Sequence, residues 1–346
     1  MKTFGCVCGN RLHFENDHCL VCGRSLGFLP GPGRLSALEP APDGVWTALA
    51  DGGRYRQCAN YSRYNVCNWM VPVAEGGEFC VSCRLNQVIP NLGEGRNLTL
   101  WARIETAKRR LLYTLLQLGL PVVDRGRDPQ RGLAFRFLED PAQESEFSNA
   151  LTARQRVITG HSTGIITINI KEAEPSERER MRERMNERYR TLLGHFRHEI
   201  GHYYWGLLVR PGIWLEEFHA LFGDERADYQ AALERYYEQG PPPDWQQDYV
   251  SAYASAHPWE DWAESWAHYL HMTDTLETAQ DYGFRMGADT GESFEDLVSD
   301  WGYLSVALNA LNRSMGLEDA YPFVLSGRAL EKLRFVHRLI QETGRP

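Results

Sequence analysis

All eight cysteines of this 346-residue chain lie in its first 83 residues, and they form two sets of four with close spacing inside each set. The first set is Cys6, Cys8, Cys19 and Cys22, and the second is Cys58, Cys67, Cys80 and Cys83. Paired thiols at such spacing are typical of tetrahedral zinc sites, and bound zinc contributes folding energy to a segment with a small core. We therefore predict a Cys-rich, zinc-ribbon-like domain over residues 1–95 and a second domain over residues 96–346.

The distribution of the eight thiols between two sites is open at this point. The sites form either sequentially, four and four, or interleaved, and the self-sufficient spacing inside each set favours the sequential arrangement. His13 and His18 lie near the first set, and either could replace a thiolate there. The alternative to both arrangements of zinc sites is a set of buried reduced cysteines that bind no metal. Residues 27–53, which are rich in proline and glycine, are predicted to form a connector with turns.

Charge and hydropathy restrict the partners of the chain. A net charge of −9 disfavours a nucleic-acid binder that works through bulk electrostatics, so this role stays open only for the Cys-rich domain. No apolar run approaches the roughly 20 residues that span a bilayer, and the first residues lack the apolar core of an export signal. We therefore expect a cytoplasmic protein with reduced thiols and no membrane contact.

Periodicity after the last cysteine predicts mainly helices. Apolar residues at helical spacing indicate a long helix from Asn97 to Leu118, and β-branched residues indicate a strand within residues 157–170. Ser176 and Glu179 form a capping-box pattern, which predicts a helix that continues as far as His202. The chain from residue 273 to its end is also expected to be mostly helical.

The stretch from His195 to His202 contains an HExxH pattern, His198-Glu199-Ile200-Gly201-His202. On a helix, residues four apart share a face, so both imidazoles of the pattern could bind a single zinc ion. Glu199 would then lie beside the metal, where it could take a proton from a metal-activated water molecule as general base.

A third ligand is expected from the helix that Pro258 begins. Glu260 and Glu264 share a face of this helix, and we assign Glu260 as the zinc ligand and Glu264 as the acceptor of a ring N–H from a ligating histidine. The reverse assignment is the alternative. Weaker sources of a third ligand are the acidic residues Asp224, Glu225 and Asp228.

Residues 193–205 and 256–269 closely resemble a bacterial zinc-binding metallopeptidase family, and the similarity extends to Cys58-Ala-Asn60, Cys67-Asn-Trp69 and Thr159-Gly-His161. Members of this family join a zinc-ribbon-like segment to a gluzincin-type HExxH domain. The resemblance implies an α+β, mainly α, fold in which a zincin-like metallopeptidase domain follows the Cys-rich domain. The eight thiols and the HExxH pattern together predict one catalytic and two structural zinc ions.

A more distant likeness concerns the order HExxH, Tyr253, Glu260, which is similar to the catalytic domain of anthrax lethal factor. This likeness implies that Glu260 binds zinc and that Tyr253, seven residues earlier, assists the oxyanion. Tyr249 is the rival for the tyrosine role, and a core tyrosine with a satisfied hydroxyl is the alternative for either residue.

Together these patterns predict a zinc metallopeptidase that hydrolyses peptide bonds in a peptide or protein substrate, with Glu199 as general base. The first alternative is a zinc-bound regulatory or binding protein with weak catalysis. The second is an amidase that acts on a non-peptide amide, because the same site chemistry serves any amide carbonyl.

Overall fold

The computed structural model describes residues 1–139, 160–185, 191–284 and 293–344. The chain divides into two compact units, Met1–Gln117 with Pro121–Met181 and Leu118–Leu120 with Arg182–Pro346. The fold is α+β and mainly helical, as predicted. The predicted domain boundary between residues 95 and 96 stays a prediction.

The first unit begins with two antiparallel sheets. A two-stranded sheet pairs β1 (Phe4–Gly5) with β2 (Arg11–Leu12). A five-stranded meander follows, with its strands in chain order: β3 (Leu26–Leu29), β4 (Arg34–Pro40), β5 (Trp46–Ala48), β6 (Arg54–Gln57) and β7 (Met70–Pro72).

The meander corrects the prediction of a turn-rich connector over residues 27–53, because three strands of the sheet occupy nearly half of this segment. Gly33 and Gly52 lie between strands, where they adopt positive φ angles of 63° and 71°. Between these two glycines the strands are short and bury Leu35 and Leu38, so their apolar pattern is too brief to stand out in the sequence.

Aromatic side chains form the core of the first unit. Phe28 packs against Trp69 with ring centroids 4.7 Å apart, and Phe14 packs edge-on against Phe28 and Tyr113. Tyr113 belongs to α2 (Asn97–Gln117), which follows the short helix α1 (Ala59–Tyr64) and confirms the long helix predicted from Asn97.

A mixed four-stranded sheet completes the first unit, with strands in the order β10-β11-β9-β8. Its strands are β8 (Asn86–Val88), β9 (Ala134–Leu138), β10 (Gly160–Ser162) and β11 (Ile165–Asn169). The strand predicted within residues 157–170 is therefore a hairpin of β10 and β11, and residues 157–159 lie outside the described part of the chain.

The helix that carries the HExxH pattern is α4 (Leu192–Tyr204), and it does not simply continue the preceding helix α3 (Pro175–Met185). Thr191 has extended backbone angles (φ −121°, ψ 155°), and its side chain accepts a hydrogen bond from the Gly194 N–H. This N-cap begins a new helix and corrects the prediction of one helix through to His202. Residues 186–190 lie outside the described residues.

The remaining helices belong to the second unit and agree with the helical C-terminal part predicted from the sequence. They are α5 (Leu215–Phe222), α6 (Tyr229–Gln239), α7 (Pro258–Asp281), α8 (Phe294–Ser314) and α9 (Gly327–Thr343). Within the described ranges, no helix combines the length and apolar character needed to cross a membrane.

Helices α4 and α7 pack closely because glycine occupies position 201. A Cβ atom at this position would lie 3.1 Å from the Ala263 Cα, which is tighter than most real contacts. The Trp262 indole also donates a hydrogen bond of 2.8 Å to the Gly201 carbonyl oxygen. This contact places the HExxH face of α4 against the first turns of α7.

Stability of the second unit is expected to decrease below neutral pH through His268 of α7. Burial lowers the pKa of this imidazole from 6.5 to about 4, and its Nδ1 lies 2.7 Å from the Tyr321 hydroxyl. As the pH falls from 6.5 to 4, the unfolded chain takes up this proton and the folded chain does not. Folding should thereby lose about 3 kcal/mol.

Urea unfolding of the wild type and of His268→Gln at several pH values measures this contribution. Between pH 6.5 and pH 4.5 the free energy of unfolding should fall more steeply for the wild type than for His268→Gln, because only the wild type has this imidazole. All other titrating groups are common to both proteins. Parallel pH profiles would contradict the prediction.

Candidate metal centre

Three side chains of the HExxH helix and of α7 meet in the second unit. His198 and His202 lie one turn apart on α4, and Glu260 lies in the first turn of α7, where the His257 ring caps the helix by accepting the Trp259 N–H. The His198 Nε2 is 3.0 Å from the Glu260 Oε2 and 3.3 Å from the His202 Nε2. The third separation, between the His202 Nε2 and the Glu260 Oε2, is 3.6 Å.

These separations fit a bound zinc ion. Ligand atoms at zinc bonds of about 2.0–2.1 Å in a tetrahedron lie about 3.3 Å from one another. The Glu260 Oε2 is also buried, and among the described residues it receives no hydrogen bond. A buried carboxylate oxygen without a donor is costly unless a cation compensates its charge, so the three residues have the donor chemistry and spacing of a metal site.

A carboxylate orients the first histidine. The Glu264 Oε1 lies 2.8 Å from the His198 Nδ1, and the Ser251 hydroxyl donates a 2.6 Å hydrogen bond to the Glu264 Oε2. Burial lowers the pKa of His198, but the nearby carboxylates of Glu260 and Glu264 outweigh burial and raise it well above 6.5. The carboxylates therefore create a negative environment that favours a cation. This geometry matches the predicted roles of Glu260 and Glu264, which themselves stay predictions.

Tyr229 is a site residue that the sequence analysis missed. Its hydroxyl donates a 2.6 Å hydrogen bond to the Glu260 Oε1, and its ring packs edge-on against Trp259. Tyr229 thus engages the carboxylate oxygen that faces away from the two histidines and leaves the Oε2 for the metal. No spacing rule links residues 229 and 260, because they lie on different helices.

Loss of this hydrogen bond is expected to weaken metal binding. The Tyr229→Phe variant should bind zinc at this centre about 10–100-fold more weakly, because partners of metal ligands typically have effects of this size. Chelator competition measures the affinity, and His202→Ala identifies which zinc belongs to the centre. Tyr237→Phe, on the exposed side of the same helix, is the matched control. Equal affinities of Tyr229→Phe and the wild type would contradict the prediction.

Glu199 is buried on α4 beside the three donors but is not one of them. Its Oε1 lies 3.3 Å from the Nε2 of His195, one turn earlier on the helix. Burial alone would raise the pKa of Glu199. The attraction of His195 and of the two site histidines outweighs burial, so the pKa is lowered from 4.5. The side chain is therefore placed as a carboxylate next to the candidate metal position.

The structure distinguishes between the two tyrosines considered for the oxyanion. The Tyr253 ring lies 6.0 Å from the His198 ring, and burial raises the pKa of its hydroxyl well above 10, which keeps it a hydrogen-bond donor. Tyr249 instead packs against Val250 and lies under the Lys332 ammonium group, 4.4 Å from its ring centre. Tyr253 is thus the tyrosine beside the site, and its role stays a prediction.

The weaker acidic candidates lie in other arrangements. Asp224 and Glu225 lie in a cluster with His219, whose Nε2 is 2.6 Å from the Glu225 Oε2. Asp224 also forms an ion pair with Arg226. The Asp228 side chain caps α6 by accepting the Ala231 N–H. None of the three acidic residues joins the group of His198, His202 and Glu260 described above.

The eight cysteines form two groups of four in the first unit, in the sequential arrangement. All are free thiols, and the groups are Cys6, Cys8, Cys19 and Cys22, and Cys58, Cys67, Cys80 and Cys83. The Sγ atoms of Cys6 and Cys22 lie 3.7 Å apart, and those of Cys67 and Cys80 lie 3.8 Å apart. Tetrahedral Zn–S bonds of about 2.3 Å give sulfur separations of about 3.8 Å, so both groups fit zinc.

His18 takes no part in the first group, since its Nδ1 pairs with Asp17 at 2.6 Å. His13 is also outside this group of four thiols. Neither histidine therefore replaces a cysteine in the groups that the structure brings together. Metal ligation by the eight thiols stays a prediction.

A helix-borne HExxH pair joined by a glutamate from a second helix, together with two groups of four cysteines, is typical of zinc-binding proteins. Comparison with family models agrees. Residues 97–339 match the family described as "putative zinc-binding metallo-peptidase", and residues 3–94 match a zinc-ribbon domain. The chain belongs to this zinc-binding metallopeptidase family.

Relatives of the chain occur in mycobacteria. Uncharacterized proteins of Mycobacterium tuberculosis and Mycobacterium bovis are 44% identical to it, over 99% of this chain and 96% of theirs. No solved structure matches the chain.

Proposed function

We propose that this protein is a gluzincin-type zinc metallopeptidase that hydrolyses peptide bonds in peptide or protein substrates. The observation that carries the proposal is the convergence of His198, His202 and Glu260 at mutual distances of 3.0–3.6 Å, with the buried Glu199 on the same helix. Membership of a metallopeptidase family supports the same reaction class. The free thiols of the Cys-rich region fit the cytoplasm, which we propose as its location.

In this proposal His198, His202 and Glu260 bind the metal, Glu199 transfers protons and Tyr253 donates a hydrogen bond. A zinc ion bound there supplies Lewis acidity, which lowers the pKa of a water molecule toward about 7 and polarises the scissile carbonyl. Glu199 accepts the proton of the attacking water at its carboxylate and passes it to the nitrogen of the leaving amine. The Tyr253 hydroxyl donates a hydrogen bond to the oxyanion that develops from the carbonyl.

Zinc content and hydrolysis test the proposal together. The purified full-length protein should contain zinc at the centre of His198, His202 and Glu260 as well as at the cysteine groups. It should cleave casein or members of a peptide library, and a chelator should stop the cleavage until zinc is restored. A zinc-loaded protein that cleaves no peptide would favour a binding or regulatory role. Cleavage restricted to small non-peptide amides would favour an amidase.

A further inference from the structure

His195 lies on the same face of α4 as the general base of the proposed reaction. Residues four apart on a helix are neighbours, and the His195 Nε2 is 3.3 Å from the Glu199 Oε1. The His195 side chain is 18% exposed and that of Glu199 is 6% exposed. His195 therefore stands between the buried carboxylate and the protein surface.

Two of the three candidate ligands, one on each helix, have a fixed partner of their own. His198 lies 2.8 Å from Glu264, and Glu260 accepts a 2.6 Å hydrogen bond from Tyr229. Across the described part of the chain, His195 is the only side chain at ion-pair distance from the Glu199 carboxylate. His195 is thus the side-chain partner of Glu199, as Glu264 is the side-chain partner of His198.

The first turn of α4 fixes the position of His195 itself. Thr191 caps the helix through its side chain, and its carbonyl oxygen accepts the His195 N–H at 3.0 Å. The ring consequently extends from a backbone position that a capped helix end holds in place. It can restrict the carboxylate of Glu199, one turn later, to a small range of side-chain rotations.

We propose that His195 is the positioning residue of Glu199: it holds the Oε1 and thereby directs the other carboxylate oxygen toward the attacking water. This inference rests on the proposed function. A general base must lie within hydrogen-bond reach of the proton that it takes, and an error of about 1 Å costs on the order of 100-fold in rate. His195 touches neither substrate nor metal in this arrangement and acts only through Glu199.

The variants His195→Leu and His195→Gln test the proposal. Leucine removes the ring nitrogen, whereas the glutamine amide N–H can still reach the Glu199 carboxylate. For a peptide found by library screening, His195→Leu should lower kcat about 10–100-fold and change KM less than twofold. His195→Gln should recover most of the loss, and the zinc content and thermal midpoint of both variants should equal those of the wild type.

The matched control is His219→Leu, which removes another histidine–carboxylate pair of the same unit, that with Glu225, and should leave kcat unchanged. Wild-type kcat in His195→Leu would overturn the proposal. A loss of kcat that glutamine does not recover, or that follows a loss of zinc or of folded protein, would also overturn it.

Crystal structures of the zinc-loaded variants give a readout that does not depend on turnover. The Glu199 carboxylate should be displaced in His195→Leu and return to its wild-type position in His195→Gln. If the wild type hydrolyses no peptide, the proposed function fails, and the carboxylate position still decides whether His195 orients Glu199. An unmoved Glu199 in His195→Leu would overturn the inference even if the wild type is an active peptidase.

Discussion

Replacement of Glu199 by glutamine is expected to lower kcat for peptide hydrolysis by about 10²–10⁴-fold without loss of zinc. Glutamine has the size and shape of glutamate but cannot accept a proton at neutral pH. The three donors His198, His202 and Glu260 do not include Glu199, so the metal site should keep its ligands. KM should change little, because the substitution removes an interaction that matters in the transition state.

Steady-state kinetics on a defined peptide and zinc analysis of the same preparation check this prediction. Glu225→Gln is a suitable control, because Glu225 is a half-buried carboxylate paired with His219 outside the group of three donors. Full activity of Glu199→Gln would exclude Glu199 as general base. Loss of zinc together with activity would mean that Glu199 supports the metal and would leave its chemical role without support.

The parts of the site that follow local spacing were predictable from the sequence. An i,i+4 pair on one helix places His198 and His202 on one face whatever the rest of the fold does. The same rule could have identified His195 beside Glu199, which lies four residues later. Glu260 could also be predicted from the sequence, since Pro258 marks the beginning of its helix and the following glutamates share a face.

The parts that depend on tertiary contacts were not predictable in this way. Tyr229 reaches Glu260 across 31 residues of chain, and Ser251 reaches Glu264 from outside α7. Neither residue type is unusual at its position. The same limit applies to the fold: the meander between β3 and β7 is built from short strands, whereas the 21-residue helix α2 repeats its apolar pattern often enough to be recognised.

The break before α4 illustrates a third case, in which two local signals compete. Charged residues of α3 and apolar residues near 192–200 both favour helix, so the sequence suggests one continuous element. Thr191 can cap a helix through its side chain, and in the structure it does so with extended backbone angles. The result is that the HExxH helix has its own fixed beginning, one turn before the residue that orients Glu199.

The second large effect is expected for Asp274→Leu, which should destabilise the second unit by about 3–5 kcal/mol and lower its thermal midpoint by roughly 10 °C. Arg197 of α4 donates a 2.5 Å hydrogen bond to Asp274 of α7, and the two residues are only 4% and 7% exposed. Arginine cannot lose its proton in a protein, so removal of this carboxylate takes a close counterion away from a buried positive charge.

The double variant Arg197→Met with Asp274→Leu separates this charge effect from a simple loss of packing. Two apolar side chains leave no uncompensated charge, so the double variant should recover most of the stability lost in Asp274→Leu. Because this ion pair joins the two helices that carry His198 and Glu260, Asp274→Leu should also weaken zinc binding at their site. If the double variant is as unstable as the single one, the lost stability comes from the missing contacts between Arg197 and Asp274 and not from an uncompensated charge.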